Sequence, residues 1–181
     1  MASHIASLIM EAMNAECCQN FAGPKHTLVD FHRMMTRLVE MEDSQYSYRN
    51  VLAAYTSSGI LAGICVAYDG AKLHQLRRRF YEAALEAFGI DYTGMTDETE
   101  DDEFYIDSLA VSSNFRGKGI ASQLLQATIE RGAELGIPTV GLLVDKGNPK
   151  AEALYQRLGF VYVNDSTWGG HPMRHLQYKQ N

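Results

Sequence analysis

Residues Leu109 to Ser122 read Leu-Ala-Val-Ser-Ser-Asn-Phe-Arg-Gly-Lys-Gly-Ile-Ala-Ser. A strand-like run ends in a turn that holds Gly117 and Gly119, and a helical pattern starts at once with Ala121, Leu124, Leu125 and Thr128 on its apolar side. Glycine lets a backbone approach a ligand closely, and the free N–H groups of a helix's first turn carry a partial positive charge. This stretch therefore has the chemistry of an anion site, and a pyrophosphate is the natural anion. Arg116 and Lys118 add charge at its rim. It is neither a P-loop nor a Rossmann fingerprint, and as structure alone it is a glycine turn before a helix. A second stretch runs from Asn148 to Phe160, Asn-Pro-Lys-Ala-Glu-Ala-Leu-Tyr-Gln-Arg-Leu-Gly-Phe. Asn148 suits a helix cap and Pro149 the first helical position, which sets Tyr155 two turns into a helix that buries Leu154 and Leu158. Read as structure alone, Tyr155 is a half-buried core tyrosine.

The elements that must position these residues follow from periodicity. Ile5, Leu8, Ile9, Ala12 and Met13 have helical spacing, Gly23-Pro24 breaks the chain, and Thr27 caps a second helix that buries Leu28, Phe31, Met34, Met35 and Leu38. Strand-like runs over 50–56 and 60–68 flank Ser57-Ser58-Gly59 as a hairpin. Leu73, Leu76, Phe80, Ala84 and Phe88 predict a helix closed by Gly89. From there the pattern is strand 104–111, helix 119–135, strand 139–144, helix 149–158 and strand 160–163, with a last strand over 173–179 after Gly169-Gly170. With no internal repeat and no long linker, the expectation is a single α/β domain over 1–181 with a mixed, mostly antiparallel sheet flanked by helices.

Together the two stretches resemble the GNAT superfamily of N-acetyltransferases, which use acetyl-CoA. Arg116 to Ala121 is similar to the family's Q/R-x-x-G-x-G/A motif, and Asn148 to Phe160 to its N-x-x-A-x-x-L-Y-x-x-x-G-F segment. The likeness covers residues 104 to 163; the N-terminal half matches only in its order of elements. The family usually opens with a strand, whereas this chain begins almost directly in a helix, and residues 71–103 form a helical and acidic insert where many members have a short connection. The resemblance implies acetyl transfer from acetyl-CoA to a primary amine, by direct attack in a ternary complex. It implies that backbone N–H groups of Gly117, Lys118, Gly119, Ile120 and Ala121, with Arg116 and Ser122 beside them, hold the coenzyme A pyrophosphate. Leu109 and Val111 would pair through their backbones with the pantetheine arm, as an added strand does. The N–H of Leu109 would face the thioester carbonyl, where it stabilises an oxyanion. Asn148 matches a position that contacts the arm, and Tyr155 matches the general acid that protonates the departing thiolate. Many relatives of this kind are dimers, so a homodimer is one expectation. A coenzyme A-binding or regulatory module without catalysis would keep Gly117, Gly119 and Asn148 but would not need Tyr155.

An attacking amine must be neutral, yet a lysine-like amine has a pKa of about 10.4, so a base must take its proton. Strand alternation sets Tyr105, Asp107, Leu109 and Val111 on one face. Asp107 is the first candidate, acting directly or through a water; otherwise it is a strand-end hydrogen-bonding residue. Glu103 shares that face but reads as a solvated residue of the acidic run. His171 and His175 are four apart, but Pro172 and Gly169-Gly170 favour a loop or strand over a metal-binding helix, and no metal is expected.

Six carboxylates in seven positions, 97 to 103, account for the whole net charge of −6. No basic stripe offsets them, which excludes a nucleic-acid binder that works by phosphate neutralisation. The run Arg77-Arg78-Arg79 reads as a solvated helix face, and the acidic run as a solvated loop with a weak pull on cationic acceptors. At 46% hydrophobic and 21% charged the chain is an ordinary globular one. Cys17, Cys18 and Cys65 make no C-x-x-C pair, Cys65 reads as a core residue, and Glu11 interrupts the opening apolar stretch. A reducing, cytoplasmic location with no membrane contact is the expectation.

Overall fold

Thr27 and Asp30 close a reciprocal capping box, the Asp30 N–H donating to Thr27 Oγ1 at 3.3 Å and the Thr27 N–H to Asp30 Oδ2 at 2.9 Å. Two donors that the helix itself cannot satisfy are met in this way, which fixes its start. In the computed structural model, which describes residues 1–180, that helix is α3 (Leu28–Glu40), preceded by α1 (Ala2–Met13) and α2 (Ala15–Ala22). The remaining elements are β1 (Val51–Tyr55), β2 (Leu61–Asp69), α4 (Leu73–Phe88), β3 (Glu103–Val111), α5 (Ile120–Glu134), β4 (Thr139–Asp145), α6 (Pro149–Arg157), β5 (Val161–Trp168) and β6 (His171–Lys179). The expected elements are all present. Helix α2 is an addition: Asn14, at φ 69°, breaks the N-terminal helix in two and caps the second half through its side chain. Strand β5 also runs on to Trp168, past the expected end at Val163, because it pairs with β6 along its length.

Six strands form one sheet in the order β1-β2-β3-β4-β6-β5. Only β3 and β4 are parallel, so the expected mixed, mostly antiparallel α/β sheet flanked by helices is what forms. Strand β2 is buried on both faces, and its side chains alternate between two cores. Ile64 and Val66 join Phe31, Met35, Leu38 and Phe80 under α1 to α4. Cys65 and Ala67 join Leu125, Ile129, Leu142 and Phe160 under α5 and α6. Each fully buried side chain of this size contributes about 1.5–3 kcal/mol, so both helical layers are held by apolar burial rather than by helix propensity.

Two sequence readings are corrected. Arg77 does not lie on a solvated face: it is 1% exposed and ties α4 to the acidic segment through Asp97 Oδ1 (2.6 Å), Glu98 Oε2 (3.5 Å) and the Thr96 carbonyl (3.0 Å). Glu103 is likewise fully buried. Its carboxylate accepts from Gln177 Nε2 (2.7 Å), Thr99 Oγ1 (2.8 Å) and the Glu100 N–H (3.2 Å) and pairs with His175, which sits on β6. Gly141 of β4 makes room for it, because a Cβ there would overlap the Glu103 carboxylate. The acidic segment is thus pinned to the sheet. A periodicity argument sees only a run of like charges and assigns it to water.

Candidate active site

Strands β3 and β4 run together only from Glu103 to Ile106 against Thr139 to Leu142; beyond that the ladder stops, although both strands continue. On its other edge β3 stays paired with β2, but the register skips Asp107 between Ile106 and Ser108, a β-bulge. The Ser112 N–H donates to the Ala62 carbonyl at 2.9 Å. Given the pairing of Ala110 with Ile64 and of Ser108 with Val66, the backbone groups of Leu109 and Val111 must point the other way, into the gap where β4 has departed. The Val111 carbonyl is taken by Arg116 Nε at 3.0 Å. Leu109, and the N–H of Val111, are left as an unpaired strand edge.

At one end of this gap lies the N-terminus of α5. Gly119 caps it at φ 76°, Gly117 stands at φ 75°, and no side chain caps the helix. Among the described residues nothing lies within 4 Å of the position a Cβ would take at either glycine. A fifteen-residue helix with an uncapped amino end and open space before it is a fitting cradle for a pyrophosphate. Arg116 leans away from it, toward Val111 and Glu11 (3.4 Å), and Lys118 Nζ lies 5.3 Å from the centre of the Phe115 ring.

At the other end the gap widens into a cavity of about 320 Å³. Tyr105, Asp107 and Leu109 of β3, together with Asn148 and Tyr155 at α6, line it. Asn148 caps α6 by accepting the Ala151 N–H at 3.2 Å. The Tyr155 ring packs edge-on against Phe160 at 5.9 Å. Burial, and then the nearby Cys65 thiol, push the Tyr155 phenol above its ordinary value, so it keeps its proton throughout the physiological range.

Asp107 is engaged on both oxygens. Ser108 Oγ donates to Oδ1 (2.9 Å), and Tyr68 Oη (2.9 Å) and Gln45 Nε2 (3.2 Å) donate to Oδ2. Burial raises its pKa against the pull of these donors. Glu98, from the acidic segment, lines the same cavity, accepts from Trp168 Nε1 (2.9 Å) and lies 3.3 Å from Tyr68 Oη. Burial first, then the charge of Asp107, raise Glu98 to about 7, although Arg77, Trp168 and Tyr68 oppose this.

Of the residues picked out by sequence, the cavity brings together Tyr155, Asp107, Leu109 and Asn148. Val111, Arg116 and Gly117 to Ser122 stand apart from its lining, at the end of β3 and the start of α5. Sequence reasoning missed Glu98, Tyr68, Gln45 and Trp168. No local signal separates Glu98 from its five acidic neighbours. Trp168, the sole tryptophan, offered only its residue type. Among the described residues no group of three or more His, Cys, Asp or Glu is arranged to hold a metal ion, and no helix is long and apolar enough to cross a membrane.

The model of the Acetyltransferase (GNAT) family matches residues 42–160. The uncharacterized N-acetyltransferase YdgE of Bacillus subtilis is 40% identical over 62 residues, 34% of this chain and 40% of that protein. N-alpha-acetyltransferase MAK3 of Arabidopsis thaliana is 44% identical over 57 residues, 32% of this chain and 30% of that protein. The chain therefore matches less than half the length of these curated relatives. A solved structure described as an acetyltransferase superposes with a TM-score of 0.80 at 26% identity, covering 98% of this chain and 94% of the other. An N-acetyltransferase from Staphylococcus aureus Mu50 shares the fold with a TM-score of 0.77 at 21% identity, again over 98% and 94%.

Proposed function

The chain belongs to the acetyltransferase (GNAT) family, and from that premise we propose that it acetylates a primary amine with acetyl-CoA, by direct attack in a ternary complex and with no covalent enzyme intermediate. The observation that carries this reading is the opening of the sheet between β3 and β4, with an uncapped helix start at one end and a protonated phenol beside buried carboxylates at the other. Bound acetyl-CoA supplies an activated acetyl group as a thioester.

The chain's own residues then divide the work. The N–H groups of Gly117 to Ser122 hold the pyrophosphate, with Lys118 adding charge nearby. Arg116 contributes at longer range, since its guanidinium is committed to Val111 and Glu11. The unpaired backbone of Leu109 and the Val111 N–H grip the arm as a neighbouring strand would, and Asn148 meets it from α6. The Leu109 N–H faces the carbonyl oxygen, where negative charge grows as the amine attacks. Asp107, as one member of its pair with Glu98, receives the ammonium proton directly or through a water. Tyr155 holds on Oη the proton that the departing sulfur takes. Residues 1–181 act as one domain, with 71–103 as an insert that supplies part of the acceptor wall.

The reading is tested by thermal shift with acetyl-CoA, ATP and NAD, paired with an assay of free coenzyme A release from a panel of amines. Acetyl-CoA at a hundred times its dissociation constant should stabilise the fold by roughly 2.7 kcal/mol. Stabilisation with no release from any amine would leave a non-catalytic coenzyme A-binding module, and stabilisation by ATP or NAD alone would overturn the cofactor.

A further inference from the structure

The charge around the acceptor end of the cavity has one sign. Glu98 and Asp107 lie in its wall, Glu11 and Asp145 at its mouth, and no lysine or arginine lines it. The nearest buried cation, Arg77, stands behind Glu98 and makes its shorter contact with Asp97 (2.6 Å against 3.5 Å), so it offsets little of the charge that faces inward. His171, at the mouth, is 3.8 Å from Asp145. A second observation is independent of the carboxylates. Tyr105 is 5% exposed, it lines the cavity, and its hydroxyl has no hydrogen-bond partner among the described residues, unlike that of Tyr68 beside it. An unpaired phenol on a buried ring is free to meet a ligand's N–H. The rings of Tyr105, Tyr155 and Trp168 together give the cavity aromatic surface of the kind that favours cations.

We propose that the acceptor is a small amine that carries a second cationic group and no anionic one: a diamine or polyamine rather than an amino acid. The inference rests on the acetyl-transfer reading and adds the acceptor's charge to it. An acceptor with its own carboxylate needs a cation to receive that group, and this wall offers only like charge with little water to screen it. A second ammonium finds Asp145 at the mouth, Glu11 being already met by Arg116 at 3.4 Å, while the first lies against Glu98 and Asp107. The cavity volume of about 320 Å³ suits a small ligand.

Putrescine, butylamine and γ-aminobutyrate are of nearly one length and differ in charge: a dication, a monocation and a zwitterion. Each is titrated calorimetrically into the full chain without acetyl-CoA, and each is assayed for coenzyme A release. Putrescine should bind, and its kcat/KM should exceed that of butylamine by about tenfold and that of γ-aminobutyrate by more. Binding or acetylation of γ-aminobutyrate on a par with putrescine overturns the proposal. So does a chain that acetyl-CoA stabilises but that neither binds nor acetylates putrescine, and in that case the cofactor reading stands. A chain that acetyl-CoA does not stabilise, and that releases no coenzyme A with any amine, removes the acetyl-transfer reading and this one with it.

Discussion

Glu98 and Asp107 share a single hydroxyl proton: Tyr68 Oη lies 3.3 Å from Glu98 Oε1 and 2.9 Å from Asp107 Oδ2. One O–H can donate to only one of them at a time. The other contact is comfortable only if a carboxyl of the pair is itself protonated, which agrees with the raised pKa of both groups.

The pair is its strongest base only once that shared proton has left and both carboxylates are ionised. The kcat/KM for the amine should therefore rise with pH through about 7, the value to which Glu98 is raised. The Glu98→Gln variant should lose this limb and fall roughly a hundredfold in kcat/KM at neutral pH. Asp107→Asn should flatten the same limb, since the titration belongs to both residues. A pH profile of coenzyme A release measures this, and an unmoved limb in both variants would remove the pair from proton transfer.

Tyr155→Phe keeps the ring packed on Phe160 and deletes only the hydroxyl proposed as the acid. Turnover should drop by about 10² or more while the dissociation constant for acetyl-CoA changes little. Single-turnover kinetics beside calorimetry separate the two quantities, and full turnover would take the role of acid away from this phenol.

Gly119→Ala isolates the helix start. The substituted residue must hold φ near 76°, which costs about 1 kcal/mol of stability, but its methyl meets no atom of the described residues within 4 Å. Gly59, in the β1–β2 turn at φ 79° with the same open surroundings, is the matched control. Both alanines should lower the melting temperature to a similar degree, and only Gly119→Ala should weaken acetyl-CoA binding. Equal affinities would put the diphosphate elsewhere.

The Glu103–His175 pair gives a stability prediction. Burial works against the charge on each partner, yet their contact outweighs it, lowering Glu103 below its ordinary 4.5 and raising His175 above its ordinary 6.5. The carboxylate's contribution is present above 4.5 and fades as pH falls through its folded value. The imidazole's contribution is full below 6.5 and fades as pH rises through its own. Glu103→Ala should cost about 3 kcal/mol or more, with the largest gap from the parent chain between these two pH values. Gly141→Ala should act in the same direction by driving a methyl into that carboxylate. Thermal melts across pH provide the check.

How much of this could be read in the chain depends on how local each cause is. The caps at Thr27 and Asn148, the stop at Gly89 and the glycine turn before Ile120 are set by neighbours in sequence, and they stand where spacing predicts. Tyr155, Asp107, Leu109 and Asn148 do line one cavity, but the alternation expected to set Tyr105, Asp107, Leu109 and Val111 on a single face does not hold: the bulge at Asp107 shifts the phase of β3, and Leu109 packs on the side of Phe104 and Ile106 while Tyr105 packs against Tyr68. Glu98, Glu103 and Arg77 could not be read in this way. Their burial is decided by partners 70 or more residues away for Trp168 and His175, and by α4 packing over the segment, none of which a window of charge reveals. The break at Asn14 was missed for a related reason: apolar spacing continues across it, and only the left-handed backbone records it.

The parting of β3 from β4 has a consequence for how the chain behaves in solution. Most of the sheet is laced by amides that open only when the fold melts, but the N–H groups of Leu109 and Val111 face a seam with no carbonyl across it. In hydrogen–deuterium exchange these two positions should label quickly, out of step with Ala110 between them, and should slow sharply once acetyl-CoA is added. On the proposed reading the coenzyme would be the missing stitch of the sheet, and the protein would be at its most rigid only when it is ready to react.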